Sequence, residues 1–300
     1  MRPGALLHRV GENIRDHALW ASGDRVIVAV SGGLDSVVLL DVLVRIDRWH
    51  GGALEVATVD HAQRPDSADD AAYVAGLALA HGLRCSVLKV ELPPNASEER
   101  AREARYGALD TLGDGVLALA HHQRDQAETL LVQLLRGTGL RGLAGMGFRV
   151  GRRARPLLDV PHHDLLAYAD ENNLTWREDA TNSDPRYLRN RVRNEVLPML
   201  EGLRPGATNA IARTAAHIAA DQAFLEASIA SWGIEVPDVV DRDLARRSPD
   251  PIARLAILRA FPHLSSAHVD AVLTAARGDG GTIEVAGGKI TVDAERITRT

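Results

Sequence analysis

Val26-Ile27-Val28-Ala29-Val30-Ser31-Gly32-Gly33-Leu34-Asp35-Ser36, followed by Val37-Val38-Leu39-Leu40, is the stretch from which the fold is read. Five apolar, mostly β-branched residues predict a buried parallel strand. Two glycines then let the backbone turn sharply and approach a ligand closely. The apolar residues from Val37 to Ile46 are spaced for a helix packed back on that strand. Leu34–Ser36 therefore stands at a helix N-terminus, where unpaired N–H groups and the macrodipole favour an anion. Ser31 and Ser36 add hydroxyl donors, and Asp35 either orients a metal or caps the helix. Ser-Gly-Gly alone would suit any strand–turn–helix junction; the Asp and Ser behind it favour a phosphate loop.

The familiar GxxxxGK(S/T) loop needs a lysine that reaches the terminal phosphates, and the first lysine here is Lys89. SGGLDS instead resembles the pyrophosphate loop, SGGxDS, of the ATP-pyrophosphatase superfamily. That resemblance implies scission of ATP between the α- and β-phosphates and activation of an oxygen as its adenylate.

The remaining elements extend the strand–helix unit into a fold. A leading amphipathic helix covers residues 5–20. Strands are expected at Leu54–Val59, Arg84–Leu92 and Val116–Ala120, with helices at about 67–80, 97–112 and 125–136 between and after them. Four alternations of strand and helix predict a doubly wound, Rossmann-like parallel sheet of the α/β class. In such sheets ligands lie beyond the carboxyl ends of the strands. Those ends carry Ser31-Gly32-Gly33, Asp60-His61 and His121-His122, so the chemistry-bearing residues share one edge. Two adjacent histidines on a strand point oppositely; at most one belongs to the site, and zinc would need further ligands.

A glycine-rich segment, Arg136 to Gly147, reads equally as a flexible loop or as one closing over substrate. Arg155-Pro156-Leu157-Leu158 begins another strand-to-helix unit, with the helix near His162–Glu171. A later helix carries Arg186, Arg189, Arg191 and Arg193. Pro205-Gly206 marks the expected domain boundary, separating a catalytic domain (1–205) from a smaller, mostly helical domain (206–300). The latter holds a long helix to about Trp232, two shorter helices, and a terminal β-hairpin around Gly287-Gly288.

Composition limits the alternatives. The 300 residues hold 45% hydrophobic and 25% charged residues, as in a globular protein of about two domains. The single cysteine, Cys85, excludes an internal disulfide pair and a cysteine-rich metal centre. No apolar run approaches a membrane span and no signal-peptide core is seen, so a cytoplasmic, membrane-free protein is expected. Net charge is −5, and the 35 basic residues include only Lys89 and Lys289 as lysines, leaving 33 arginines. Arginine suits bidentate phosphate contacts, although genome composition produces the same bias. Monomer and homodimer both stay open.

Four segments point to one family: VDHAQRPDS (59–67), AREARYGAL (101–109), HHQRDQAETLL with RGTGLRGLAGM (121–146), and EDATNSDPRYLRNRVRNEVLPML (178–200). Together they resemble bacterial tRNA(Ile)-lysidine synthetase. The resemblance implies ATP and Mg²⁺ as cofactors, and L-lysine and the isoleucine tRNA with a CAU anticodon as substrates. It implies that Ser31, Gly32, Gly33, Leu34, Asp35, Ser36, Asp60, His61 and Arg105 bind ATP, with Asp35 toward the metal. Asp35, Asp125 and Glu128 become the catalytic residues. Asp125 and Glu128, at i and i+3 of one helix face, would hold the lysine. Arg189, Arg191 and Arg193 would touch tRNA or phosphate, with the small second domain recognising tRNA. The family commonly shows HHxDDQxET, and Arg124 reverses the charge at its first Asp. Rival readings are a 2-thiocytidine synthetase, which needs cysteine clusters, a small-molecule ATP-pyrophosphatase, and a nucleotide-binding regulatory module.

Overall fold

The computed structural model describes residues 3–50, 53–60, 67–90, 98–177, 186–231 and 239–299. The first half alternates as expected: α1 (Pro3–Asp16), β1 (Arg25–Ala29), α2 (Leu34–His50), β2 (Ala53–Asp60), α3 (Ser67–Ala80), β3 (Cys85–Lys89), α4 (Glu98–Asp110), β4 (Val116–Ala118) and α5 (Gln123–Leu135). There follow a short α6 (Leu140–Leu143), β5 (Arg149–Val150), β6 (Arg153–Ala154) and α7 (His162–Glu171). Helices α8 (Leu188–Arg191) and α9 (Leu197–Leu203) are joined by a π-helical turn over Val192–Val196, and α10 is Ala207–Ser231.

The sheet order is β3-β2-β1-β4-β6-β5, parallel except for the β5 edge. Chain direction across the sheet reverses between β1 and β4, the switch point where open α/β sheets take ligands. The expected strand at Arg155 lies instead one step earlier, as a tight β5–β6 hairpin. Its sequence is too short and too rich in arginine and glycine to show a strand period. Val26, Val28, Val38, Leu39, Val42, Leu165 and Tyr168 pack α2 and α7 against one face of the sheet. Ile27, Ala57, Leu109 and Leu117 build the opposite core beneath α4. Alternate residues of β1 thus serve two cores, as its apolar run requires.

Two compact units emerge: residues 1–129 with 146–213, and residues 130–145 with 214–300. The boundary expected at 205 therefore moves, because Pro205-Gly206 is a turn between helices and no linker. Gly206 adopts φ +83°, and the Glu201 carboxylate accepts the N–H groups of Gly206 and Thr208, which fastens α9 to the start of α10. The glycine-rich segment 136–147 contains α6 and falls mostly in the second unit.

That unit is mostly helical, as expected, with a larger sheet than the one hairpin. The terminal hairpin, β8 (Gly281–Val285) and β9 (Gly288–Val292), turns at Ala286-Gly287 and belongs to a four-stranded antiparallel sheet. Its other strands are β7 (Val239–Asp241) and β10 (Arg296–Arg299), three- and four-residue runs that periodicity does not reveal. Helices α11 (Arg242–Arg247), α12 (Asp250–Ala260) and α13 (Ser266–Arg277) cover it through Ile257, Phe261 and Val272. Buried Arg242 donates to the backbone carbonyls of Ala276 and Asp293, which removes its hydrogen-bonding deficit. Among the described residues no helix is long and apolar enough to cross a membrane.

One polar link inside the first unit is testable. Tyr168 of α7 donates its hydroxyl to Asp41 of α2 at 2.6 Å, and Arg45 pairs with the same carboxylate at 2.8 Å. Burial and that hydrogen bond push the Tyr168 hydroxyl well above the ordinary tyrosine range. Tyr168→Phe leaves buried Asp41 one donor short. We expect a loss of about 1–3 kcal/mol, read as a lower urea midpoint with an unchanged m-value.

Candidate active site

The loop after β1 is shaped by its own side chains. Gly32 takes φ +86°, a conformation that side chains disfavour. Ser31 donates its N–H to Ser36 Oγ at 3.1 Å, and Ser36 Oγ donates to Gly33 O at 2.9 Å. Arg177 donates its N–H to Gly32 O at 2.9 Å, so the segment after α7 also buttresses the loop. Ser36 is buried and its hydroxyl committed. Its first duty is to hold the loop, not to offer a free donor.

The sheet edge delivers its other residues as the strand ends implied. Asp60 closes β2 and is buried; His61 lies outside the described residues. Beyond β4 the two histidines part company. His121 Nδ1 accepts from Arg155 Nε at 3.3 Å, and burial pushes this ring well below the usual histidine range, so it is neutral. His122 turns to the loop, with Nε2 3.5 Å from Asp35 and 3.6 Å from Asp125. Burial works to lower its pKa, but the Asp125 and Asp35 carboxylates outweigh burial and raise it.

Residue His162, at the first turn of α7, was not legible as a site residue. Its Nε2 stands 3.7 Å from Asp35 Oδ1. Burial and the field of His122 lower its pKa. Asp35, His122 and His162 bring one potential ligand atom each within 4.8 Å of the others. This supplies the further ligands that a zinc reading lacked, yet the tautomer opposes it. His122 Nδ1 accepts the Arg124 N–H at 3.1 Å, which leaves the ring proton on Nε2. The atom facing Asp35 is then a donor, not a lone pair for a metal.

Asp125 and Glu128 share one face of α5, but they do not await a cation. Glu128 is fully buried, and Arg189 Nε donates to it at 3.0 Å and Arg193 Nε at 2.5 Å. Asp125 Oδ1 accepts from Arg193 at 3.0 Å and from Arg189 at 3.3 Å, while its Oδ2 accepts the His122 N–H at 2.9 Å. Burial alone would raise the Asp125 pKa; the fields of His122, Arg189 and Arg193 overcome it and hold the carboxyl well below its usual range. Both carboxylates expected to hold the lysine are thus engaged by arginines. The π-helical turn begins one residue after Arg191. Arg189 of α8 and Arg193 within the turn face α5, whereas Arg191 pairs with Glu195 on the surface. The arginine trio expected to act together is thus divided.

Arg124 approaches Glu128 at 3.8 Å and donates to Arg193 O at 2.7 Å, so it does not pair with Asp125. Arg105 is placed over the Tyr106 ring, 5.7 Å from its centroid. No contact from Arg105 to the loop occurs among the described residues. Arg102 on the same helix is closer to the chemistry: burial lowers its pKa, and it feels both Arg189 and Asp125.

Fold and loop together define a nucleotide-binding α/β domain with its anion loop at the switch point of a parallel sheet. Residues 7–200 match the PP-loop domain family, and the chain belongs to it. A tRNA(Ile)-lysidine synthase of Geobacter sulfurreducens is 40% identical over 234 residues, 74% of this chain and 50% of that protein. One from Pseudomonas aeruginosa is 39% identical over 81% of this chain and 58% of its own length. The chain spans about half the length of the curated relatives it matches. Among solved structures, the U34-tRNA thiolase NcsA of Methanococcus maripaludis superposes with a TM-score of 0.56 at 20% identity, covering 72% of this chain and 78% of that one. The fold is shared.

Removing one member of the buried cluster strands the others. Glu128→Gln leaves Arg189 and Arg193 facing a single carboxylate inside the protein. Breaking such a buried network costs about 3–5 kcal/mol. Chemical denaturation should show that loss, and an unchanged midpoint would mean that water reaches the cluster freely.

Proposed function

We propose that this chain attaches lysine to the wobble cytidine of the isoleucine tRNA with a CAU anticodon, forming lysidine at the expense of ATP. The observation that carries the reading is the lysine-free SGGLDS loop at the β1–β4 switch point, in a chain 40% identical to a protein named tRNA(Ile)-lysidine synthase. The C2 oxygen of cytosine leaves poorly. In-line attack of that oxygen on the α-phosphorus forms the C2–O–AMP adenylate and releases pyrophosphate. The amine of lysine then bonds to C2, the C2–O bond breaks, and AMP departs with the electron pair. Such chemistry depends on positioning and on preorganised charge.

In this reading the N–H groups of Gly33 to Asp35 face the departing pyrophosphate. Arg189 and Arg193 serve phosphate through N–H groups that their bonds to acids do not use, since each guanidinium carries five. Magnesium takes oxygen ligands, and Asp35 fits the role because its Oδ1 is buried without a hydrogen-bond partner among the described residues. When bound there, the ion would offset phosphate charge. Asp125 and Glu128 act on the reaction through the arginines that they fix. The second unit is the tRNA-recognition element of this proposal. A thiocytidine synthetase reading finds only Cys85, which is half-buried with its pKa raised by burial.

Chromatography of the nucleotide products tests the reaction class. AMP and pyrophosphate are expected with tRNA and lysine present, and ADP as the main product would refute the reading. Asp35→Ala should lower adenylate formation by about 10²-fold or more in a folded protein. Ser36→Ala should do so by deforming the loop, so its thermal midpoint should fall where that of Asp35→Ala does not.

A further inference from the structure

The π-helical turn over Val192–Val196 deprives one carbonyl of a backbone donor. In an α-helix Arg193 O would receive the N–H of Leu197. Here Leu197 donates to Val192 O instead, one residue further back. In that wider register the N–H for Arg193 O would come from residue 198, which is a proline and has none. A carbonyl left in this way must find water or a side chain.

Arg124 of α5 supplies the donor, with its Nη2 2.7 Å from Arg193 O. Charge alone does not account for the contact. Arg124 comes no nearer to Glu128 than 3.8 Å, and burial, then the field of Arg193, lowers its pKa. A guanidinium set against another guanidinium gains from the carbonyl. An ionised aspartate, the residue of the sequence pattern around position 124, could not donate to it.

The residue so held is one whose side chain reaches the candidate site. Arg193 donates through Nε to Glu128 at 2.5 Å and through Nη2 to Asp125 at 3.0 Å. Burial would lower its pKa, but the Glu128, Asp125 and Asp35 carboxylates raise it, so the field of the loop reaches this guanidinium. Arg124 and Glu128 stand at i and i+4 on one face of α5. One grips the backbone of Arg193 and the other its side chain. Two fixed points set a direction, whereas a side-chain contact alone would let the group pivot as the turn relaxed.

We propose that Arg124 is a positioning residue, whose bond to Arg193 O keeps the π-helical turn in register and so aims the Arg193 guanidinium at phosphate on the loop. That Arg193 serves phosphate rests on the function proposed above.

Isothermal titration of the full chain with inorganic pyrophosphate tests the role. Arg124→Met should weaken pyrophosphate about tenfold or more. Arg124→Lys, which keeps an N–H for the carbonyl, should restore most of that loss. Pro198→Ala gives Arg193 O a backbone donor of its own, so adding Arg124→Met in that background should cost almost nothing. Unaltered affinity in Arg124→Met, no binding by the wild-type protein, or equal losses with and without Pro198→Ala would overturn the proposal. AMP release with tRNA and lysine gives a second readout. The charge on the leaving oxygen is absent from ATP and develops in the transition state, so Arg124→Met should lower kcat and leave the KM for ATP nearly unchanged. A raised KM with kcat intact would count against the aiming of Arg193 and overturn it. No AMP release by the wild-type protein, with pyrophosphate losses that Pro198→Ala still suppresses, removes the reaction and leaves the positioning. Release with equal losses in both backgrounds removes the positioning and leaves the reaction.

Discussion

Glu128 has no contact with water, and everything around the candidate site is arranged about that fact. An ionised carboxylate taken out of solvent costs several kcal/mol unless charge and hydrogen bonds replace the water. Arg189 and Arg193 provide both, and they do so from a segment some sixty residues further along the chain. The pairing therefore clamps α8 and the π-helical turn onto α5. It also fixes where two guanidinium groups lie relative to Asp35 and His122. A loop that binds phosphate needs such cations nearby and held in place, because a flexible arginine would lose entropy each time substrate bound.

Charge near the loop is balanced in layers. Asp125 neutralises part of the arginine pair and fixes His122 through its backbone N–H, and His122 in turn donates toward Asp35. The field of Asp125 thus reaches the loop through one ring. His121 shows the opposite solution one residue away: Arg155 donates to its ring, burial keeps it neutral, and it is turned from the loop. The pKa values of these adjacent residues move in opposite directions because the strand end points them to different surroundings.

Much of this was legible before any coordinates. The apolar run Val26–Val30, the alternation of strands and helices, and α7 at His162–Glu171 follow from hydrophobic period and turn residues, which are local properties. The edge shared by Ser31–Gly33, Asp60 and His121-His122 follows from the parallel sheet they imply. What stayed hidden depends on long-range pairing. Nothing near Glu128 announces that Arg189 will reach it, and i,i+3 spacing alone reads equally as a binding pair or a buried anchor. His162 looked like any helix-opening residue, because its proximity to Asp35 arises only when α7 packs against α2. Strands β5, β6, β7 and β10 are four residues or fewer, too short for a period-two signal to rise above composition.

Under the function proposed, the loop itself accounts for how a pyrophosphate site dispenses with a lysine. In SGGLDS, Ser36 closes a ring of hydrogen bonds with Ser31 and Gly33, so the backbone holds its curve without a ligand. A loop already curved leaves its N–H groups in position, and binding then need not bear the entropy of ordering them. In that proposal the cations that a lysine would otherwise supply come from α8 and the π-helical turn, held by acids on α5. Shape is thus assigned to the loop and charge to a separate, buried scaffold. This division lets Arg124 depart from the surrounding motif without disturbing the loop: its guanidinium rests on Arg193 O, outside the hydrogen-bond ring that sets the loop's shape.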